Sequence, residues 1–542
     1  MIFIGRCLLD SPGNRREVDR STMARRWRLR DRRSRRQRCG GGGDREDRLS
    51  ALPNDLLLLV LRRVDTRTAL ATGLLSRRWA HLSRELPTLD FRVGDGLPAR
   101  YDRCILRHRG VMRCGMLYGN SIRKDLMPAI RRHERRAMRG FVSSVKSFID
   151  AADAADRPRR KLSRLSLEFF STHHAGCINR LVSKAIDDWG VEELEAVAKP
   201  MYWQHPPAHA FPSHGLCKEP RASRLRSLTL GGCVLPPLHD YGAVTKLVLH
   251  GMPRSTPAAA YEGVFTSCPQ LQVLHLKSCY LQWSLSLVVD APMSEIRELV
   301  VDQCQIRVVR IRALPRLESL LSWGTQVLFD SAASSPCRLR QWHLAFRYGL
   351  KRKLHPCFID DMELDDFFAC TPDITNLIIR FTGPERWIVP SSSTSLLPGL
   401  TRLLVADVPS SWDVSWPRML LEAAPSLQTL HIHIAPCDED PSSEIPWQPT
   451  ALRHHCLEEF AMAGFEGTER QVYFVKFVMG ACTALRHVAI FKDGNVQYNG
   501  SWDWEMPRML EISWTGKEKE TMKKRLMDAA SCSTDHLQIV LG

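Results

Sequence analysis

The stretch LRSLTLGGCVL, residues 225 to 235, carries the pattern that decides the fold. It has the form L-x-x-L-x-L-x-x-C-x-L, which returns in LQVLHLKSCYL from Leu271 and in IRELVVDQCQI from Ile296. The two apolar residues of L-x-L point to one side of a short strand, and the residue between them points to the other side. The pattern therefore predicts a strand buried on one face, followed by a turn in which the small apolar cysteine packs.

Looser copies of this pattern recur along the chain, about 19 to 35 residues apart. They begin at Leu162, Val191, Val244, Leu317, Leu339, Ile374, Leu400, Leu427, Leu457 and Leu485. Such a sustained period is typical of leucine-rich repeats, whose units bury their apolar faces only by stacking on one another. We therefore expect an irregular solenoid with a parallel sheet on its concave face.

The positive charge of the chain is concentrated at its start. The net charge of the 542 residues is +17, and an arginine-rich segment up to residue 45 contains four consecutive glycines, Gly40 to Gly43. Because this segment has almost no apolar periodicity, we expect a disordered basic tail. A nuclear-import or nucleic-acid-binding patch and an extension without function both remain open interpretations.

Other features limit the class of protein. No uncharged apolar run approaches the roughly 20 residues that span a bilayer. The opening MIFIGRCLLD is short and interrupted by Arg6, which disfavours a secretory signal. The 17 cysteines form no CxxC pair and no regular framework. We expect a soluble protein of the nucleus or cytoplasm, or both, with reduced thiols and no membrane contact.

A second informative stretch, LSALPNDLLLLVLRRV, spans residues 49 to 64. Ser50 as a cap and Pro53 in the first turn predict a helix from about Pro53 to Val64. Its leucines cover most of the helix circumference, which requires packing on more than one side. Two short helices, TRTALATGLL and SRRWAHLSREL with Ser76 as its cap, complete a bundle too small to hide this surface. We therefore expect another protein to cover it.

These residues resemble a known family. The stretch from Asp47 to Phe91, with its L-P-x-x-L-L opening and later L-S-R-R-W, resembles an F-box. GNSIRKDLMPAIRRHERRAMRGFVSSVKSFI is similar to the helical linker of grass F-box/LRR proteins, and residues 457 to 491 resemble the plant FBD-type segment. The expected fold is α/β, with a three-helix F-box before the solenoid. The expected domains are a tail (1–45), F-box (46–92), helical linker (93–160), leucine-rich-repeat solenoid (161–450) and FBD-like C-terminal repeats and cap (451–542).

The resemblance implies a non-catalytic substrate receptor of an SCF-type ubiquitin ligase. In such a complex the F-box binds a Skp-family adaptor, which joins it to a cullin and a RING protein, while the repeats bind the target protein. Proximity then raises the effective concentration of a target lysine near the ubiquitin-conjugating enzyme. By motif position, the expected adaptor contacts or their immediate supports are Leu52, Pro53, Leu56, Leu57, Val60, Leu61, Leu74, Leu75 and Trp79.

The outward positions of the repeats predict the target-binding surface. Its candidates are His250, His275, Lys277, Asp302, His343, Arg380, His431 and His433. Because the histidines come from distant repeats, they cannot converge on one metal ion. His205, His209, His214 and Cys217 are zinc-ligand types, but their spacing and the prolines around them favour a loop. We expect no metal and no cofactor, and no hydrolase motif predicts an active site.

Two alternatives belong to other functional classes. The arginine-rich tail and IRRHERRAMRG, residues 130 to 140, would suit a repeat protein that contacts nucleic acid through phosphates, although a solvated helix face is the favoured interpretation of the second segment. The other alternative is a protein-interaction scaffold that acts without a ligase.

Overall fold

The computed structural model describes residues 51–113, 119–153, 161–171, 175–202, 207–281, 286–330, 338–346, 362–363, 368, 371, 373–381, 388–389, 397–410, 417–436, 452–506, 514–527 and 537–542. The chain divides into two units, one up to Val60 and one from Leu61 onward. Among the described residues, no helix is long and apolar enough to cross a membrane.

Three short α-helices follow one another at the start of the described chain: α1 (Asn54–Leu61), α2 (Thr66–Ala71) and α3 (Arg77–Arg84). Helix α1 ends three residues before the predicted Val64, because Asp65 adopts an extended backbone to cap α2 and accepts a hydrogen bond from the Thr68 amide at 2.8 Å. Ser76 caps α3 as predicted. The predicted cap Ser50 lies outside the described residues.

The remaining helices connect or flank strands. They are α4 (Ala99–Arg113), α5 (Gly119–Asp153), α6 (Ala175–Asp187), α7 (Ala258–Ser267), α8 (Pro417–Ala423), α9 (Glu469–Ala481) and α10 (Gly516–Met527). Helix α9 begins at the end of the stretch GFEGTE, residues 464 to 469, and the Thr468 side chain caps it by accepting from the backbone amide of Gln471.

A parallel sheet of 15 strands dominates the described chain. Its strands follow chain order, so that each repeat pairs with the next: β1 (Thr88–Arg92), β2 (Arg164–Phe170), β3 (Glu193–Lys199), β4 (Ser227–Gly231), β5 (Lys246–His250), β6 (Val273–Lys277), β8 (Glu298–Asp302), β10 (Ser319–Trp323), β12 (Gln341–Phe346), β14 (Asn376–Phe381), β16 (Arg402–Pro409), β17 (Thr429–Ala435), β18 (Glu459–Ala463), β19 (His487–Phe491) and β22 (Gln538–Leu541). Every predicted repeat start leads into one of these strands, which confirms a mixed α/β fold with a large parallel sheet.

Three smaller sheets were not predicted. Strands β7 (Ser286–Asp290), β9 (Val308–Ala313) and β11 (Gln326–Phe329) form a parallel sheet. Strands β13 (Met362–Glu363) and β15 (Ile388–Val389) form a parallel pair, and β20 (Gln497–Tyr498) and β21 (Trp504–Glu505) form an antiparallel pair. These strands lack the full repeat motif, so the search for L-x-x-L-x-L passed over them.

The two faces of the large sheet differ in burial. The L-x-L side chains form the core face: Leu228, Leu247 and Leu274 occupy equivalent register positions and are fully buried. The predicted packing cysteines are buried as well, and the Cys279 thiol donates to the Leu249 carbonyl at 3.3 Å. The residues that alternate with the core leucines form the opposite side, which we call the outer face.

Candidate docking surfaces

Helix α1 has apolar side chains on both its buried and its exposed sides. Leu57 and Leu61 are fully or almost fully buried, whereas Leu56, Leu59 and Val60 have 46%, 52% and 43% of their surface exposed. An α-helix with apolar residues all round its circumference buries them fully only when it is covered on all sides. The exposed side of α1 is therefore a candidate contact surface.

The turn between α2 and α3 exposes two further leucines. Leu74 is 91% exposed and Leu75 is 72% exposed. The turn is held in place locally: the Thr72 hydroxyl donates to the Ala69 carbonyl at 2.7 Å, and the Leu75 amide donates to the Thr72 carbonyl at 2.9 Å. A Cβ atom on Gly73 would lie 3.3 Å from the Ala80 Cα, so the turn also packs closely against α3. The two leucines are thus presented on an ordered turn.

The predicted adaptor residues accordingly fall into two groups. Pro53, Leu56, Val60, Leu74 and Leu75 are exposed, and Leu52 and Trp79 are half-buried. Leu57 and Leu61 are buried. Leu59 and Val64 are exposed but were not predicted. The sequence could not distinguish these groups, because every position of α1 from Leu56 to Leu61 is apolar.

The outer face of strands β2–β6, which we call the open part, carries charged and polar side chains. Arg164 pairs with Glu195 at 3.3 Å, and the ring N–H of His275 donates to Glu298 of the neighbouring strand β8 at 2.6 Å. This hydrogen bond holds the pKa of the Glu298 carboxyl below its ordinary value. His250 is exposed, while His275 and Lys277 are half-buried. These three predicted target-surface residues are therefore on the outer face, as expected.

The outer face of strands β12, β14, β16 and β17, which we call the covered part, lies beneath residues 496 to 505. This segment is a hairpin in which β20 and β21 pair Gln497 with Glu505 and Tyr498 with Trp504. Its turn contains Gly500 at φ +83°, a backbone conformation that glycine adopts readily. The Asn499 amide closes the turn by donating to the Asp503 carbonyl at 2.9 Å. The hairpin joins the large sheet through side-chain contacts.

The indole of Trp504 anchors the hairpin. It is 2% exposed and packs in a small apolar cluster with Ile378, Leu404 and Ala406 on the outer face. Its N–H donates to His431 Nδ1 at 2.9 Å, and His431 Nε2 lies 3.0 Å from Glu459. Because Nδ1 accepts, the proton of the neutral ring is on Nε2, which donates to the carboxylate and lowers the pKa of Glu459.

Further hydrogen bonds and an ion pair join the hairpin to strands β12, β14 and β16. The Ser501 carbonyl lies 3.0 Å from His343 Nδ1, which must donate because a carbonyl can only accept. The Asn376 side chain donates to the Trp502 carbonyl at 2.8 Å. Both terminal guanidinium nitrogens of Arg402 lie 3.1 Å from one Asp503 oxygen, and the Arg402 guanidinium carbon lies 4.4 Å from the centre of the Trp504 ring. Burial lowers the pKa of His343 to about 4, so this ring is neutral near pH 7.

Next to the hairpin, Arg380 forms an ion pair inside the outer face. Its Nε donates to Asp407 at 2.7 Å, and its guanidinium carbon lies 4.9 Å from the ring centres of both Trp323 and Tyr498. Burial alone would raise the pKa of Asp407, but His433 and Arg380 together bring it below its ordinary value. Asp407 has φ +58° at a bulge in β16, which positions its carboxylate for both partners.

The predicted target surface is therefore only partly open. His343, His431 and His433 were expected to be exposed but are buried, at 5%, 6% and 7% exposure. Arg380 and Asp302 are half-buried. The hairpin and the Asp407 pair use four of the eight predicted residues, namely His343, Arg380, His431 and His433. The overlooked signal was the Asn499-Gly500 turn dipeptide between aromatic residues, together with apolar side chains at outer positions such as Ile378 and Leu404.

Among the described residues, no group of three or more histidine, cysteine, aspartate or glutamate side chains is placed to hold a metal ion. His209, one of the zinc-ligand types in the predicted loop, is buried. Its Nε2–H donates to Oδ1 of the Asn179 side chain at 2.9 Å, and its ring contacts the rings of Phe169 and Phe211. Cys217 is fully buried, while His205 lies outside the described residues. His209 and Cys217 therefore belong to the packed interior.

Comparison with known proteins places the exposed leucines in a defined domain. Residues 49–90 match the F-box domain family. An F-box/FBD/LRR-repeat protein of Arabidopsis thaliana is 43% identical over 56 residues, which cover 10% of this chain and 13% of the relative. An F-box protein of the same plant is 23% identical over 304 residues, covering 56% and 58%. An FBD-associated F-box protein is 41% identical over 59 residues, covering 11% and 13%.

The chain thus spans at most 58% of the length of these relatives. The family match covers the helices and the turn that expose Leu56, Leu74 and Leu75. The chain carries an F-box domain at residues 49–90 and is similar to plant F-box proteins of the FBD and LRR-repeat type.

Proposed function

We propose that this protein is a substrate receptor of an SCF-type ubiquitin ligase. In this proposal the F-box binds a Skp-family adaptor, which links the chain to a cullin and a RING protein. The large parallel sheet belongs to an irregular leucine-rich-repeat solenoid that binds a target protein. The receptor itself catalyses no bond making or breaking, and it acts by holding the target near the ubiquitin-conjugating enzyme.

The observation that carries the proposal is the exposure of Leu74 and Leu75 within the F-box match. Leu56, Leu59, Val60 and Val64 add further exposed apolar surface in the same match. Covering one leucine side chain is worth about 1.5–3 kcal/mol, so a partner that covers several of them gains substantial affinity. Ordered, exposed apolar side chains of this kind suit a protein interface better than solvent.

The proposed target-binding role is supported by the large sheet. Successive repeats pair in chain order, and the open part of its outer face presents charged and polar side chains such as Lys277 and His250 to solvent. Extended surfaces of this type are the binding faces of repeat proteins. Four similar Arabidopsis proteins carry LRR-repeat in their names.

The adaptor interaction can be tested with the double variant Leu74→Asp and Leu75→Asp. Both side chains are exposed, so the change should leave folding intact while placing two charges in the interface. We expect the affinity for a purified Skp-family adaptor, measured by surface plasmon resonance, to fall at least about a hundredfold. Met293→Asp is the matched control, because Met293 is 89% exposed but lies outside the F-box, and it should bind normally.

Unchanged adaptor binding by the double variant would refute the receptor assignment. The nucleic-acid alternative depends on residues 1–45, which lie outside the described residues. Binding to nucleic acid that weakens steeply with salt and requires this tail would favour that alternative.

A further inference from the structure

The covered part of the outer face has the chemistry of a binding site rather than of a solvated surface. Ile378, Leu404 and Ala406 occupy outer positions and are almost completely buried under Trp504. Around this apolar patch, Arg402 offers charged donors, His431 offers an acceptor, and His343 and Asn376 offer neutral donors. A patch with this arrangement recognises an indole next to a carboxylate, with backbone carbonyls on one side.

The hairpin that fills this surface is not part of the large sheet. Within the described part of the chain its strands pair only with each other, over two residue pairs. Isolated two-stranded hairpins are marginally stable on their own. The position of the hairpin therefore depends on the side-chain contacts of Trp504, Asp503 and Tyr498 and on the carbonyls of the turn.

The contact between hairpin and sheet also leaves polar atoms unsatisfied. His343 Nε2, Asn376 Oδ1 and the Tyr498 hydroxyl are buried and have no hydrogen-bond partner among the described residues. Buried polar atoms without a partner weaken an interface, and a competing segment that satisfies them gains over the resident hairpin. The contacts of Trp504 and Asp503 thus hold the hairpin on the sheet. The short backbone pairing of the hairpin and the unsatisfied polar atoms lower the cost of releasing it.

We propose that the covered part of the outer face is a docking surface for a turn that presents an aspartate beside a tryptophan. The chain's own hairpin occupies this surface until such a partner displaces it. The groups expected of the partner are those that the hairpin itself uses. In the hairpin the indole fills the apolar patch and donates to His431, and the carboxylate pairs with Arg402. Binding and displacement of the hairpin do not depend on the proposed function. The proposal rests on that function in one respect, namely that the partner would be a target protein of the ligase.

The docking surface can be tested with the hairpin as a separate peptide. Residues 496–505 are replaced by a glycine–serine linker of equal length, and binding of a fluorescent peptide, NVQYNGSWDWEM, is followed by anisotropy. We expect the replaced chain to bind the peptide, and the intact chain to bind it at least about tenfold more weakly. The same peptide with Trp504→Ala should lose at least about tenfold in affinity for the replaced chain. His431→Phe in the replaced chain should weaken binding, whereas Thr229→Asn on the open part should not.

The result is decisive in either direction. A replaced chain that unfolds cooperatively but fails to bind the peptide would overturn the docking surface, and equal binding by both chains would overturn its occupation by the hairpin. Neither result depends on the Skp adaptor, so failure here is distinguishable from failure of the ligase assignment.

A second measurement uses the unmodified chain and does not require the replaced chain to fold. In hydrogen exchange followed by mass spectrometry, the hairpin amides should exchange at least about tenfold faster than those of β14 and β16, and excess free peptide should accelerate them further. If the hairpin exchanges only as slowly as these strands, with or without the peptide, it is a fixed element and the proposal fails.

Discussion

The open and covered parts of the outer face have the same parallel-strand backbone but different side chains. Thr229 of β4 and Leu404 of β16 occupy equivalent outer positions in parallel strands. Thr229 is half-buried, with the charged side chain of Glu195 at the neighbouring register position, whereas Leu404 is completely buried. The comparison teaches that the leucines of the core face define the repeat, while the residues between them determine whether solvent or another segment covers the strand.

The sharpest test of this difference places the same amide side chain at both positions. Leu404→Asn removes a buried side chain and buries a polar group, so we expect the free energy of unfolding to fall by about 4 kcal/mol in chemical denaturation. Thr229→Asn on the open part should change it by less than about 1 kcal/mol. Equal losses at the two positions would contradict the division of the face.

A somewhat smaller loss is expected from the cover itself. Trp504→Ala removes the buried indole and should lower the free energy of unfolding by about 3 kcal/mol. The matched control is Trp502→Ala in the same hairpin, because Trp502 is only half-buried and should cost about 1 kcal/mol or less. If both variants were equally stable, Trp504 would not be the anchor.

The covered part should also respond to acid through His343. Its pKa in the folded chain is about 4, below the ordinary value near 6.5, so the unfolded chain binds a proton first as the pH falls. Stability that is complete above pH 6.5 should therefore be lost between pH 6.5 and 4, by about 2 kcal/mol at pH 4.5. Urea denaturation at pH 7 and pH 4.5 measures this loss, and His343→Gln should reduce it. An unchanged pH dependence in the variant would remove His343 as the cause.

The smallest contrast concerns two arginines that form ion pairs. Arg402 contacts both Asp503 and the Trp504 ring, so Arg402→Ala should cost about 1 kcal/mol of unfolding free energy. Arg164 pairs with Glu195 on the open part, where solvent screens the charges, and Arg164→Ala should cost less than about 0.5 kcal/mol. Both ion pairs are exposed to a similar degree, so thermal unfolding at low and high salt separates the two cases through the Trp504 ring: the part of the Arg402 effect that comes from this contact should persist in high salt.

The sequence predicted the large sheet well because its signal is local. Two leucines separated by one residue give both the strand and its buried face, as at Leu228 and Leu230. The hairpin could not be located in this way, since the Asn-Gly dipeptide indicates a turn but not the surface on which the turn lies. His431 and Trp504 are 73 residues apart, and His343 and Ser501 are 158 residues apart, so no short pattern connects them.

The F-box was recognised by its motif, but the roles of its residues depended on the structure. Leu56 and Leu57 are adjacent and chemically identical, yet one is exposed and the other is buried. Helical periodicity separates such neighbours only when part of the circumference is polar. In α1 every position from Leu56 to Leu61 is apolar, so the sequence alone could not assign the exposed side.

The late position of the hairpin in the chain has a consequence during protein synthesis. Trp504 follows Ala406, the last residue of the apolar patch, by 98 residues, and a ribosome adding roughly 5–20 residues per second needs on the order of 5–20 seconds to make this stretch. Throughout that interval the apolar patch on β14 and β16 is made but its cover is not. A nascent chain is therefore open to chaperone capture or aggregation at this patch until the tryptophan at 504 leaves the exit tunnel.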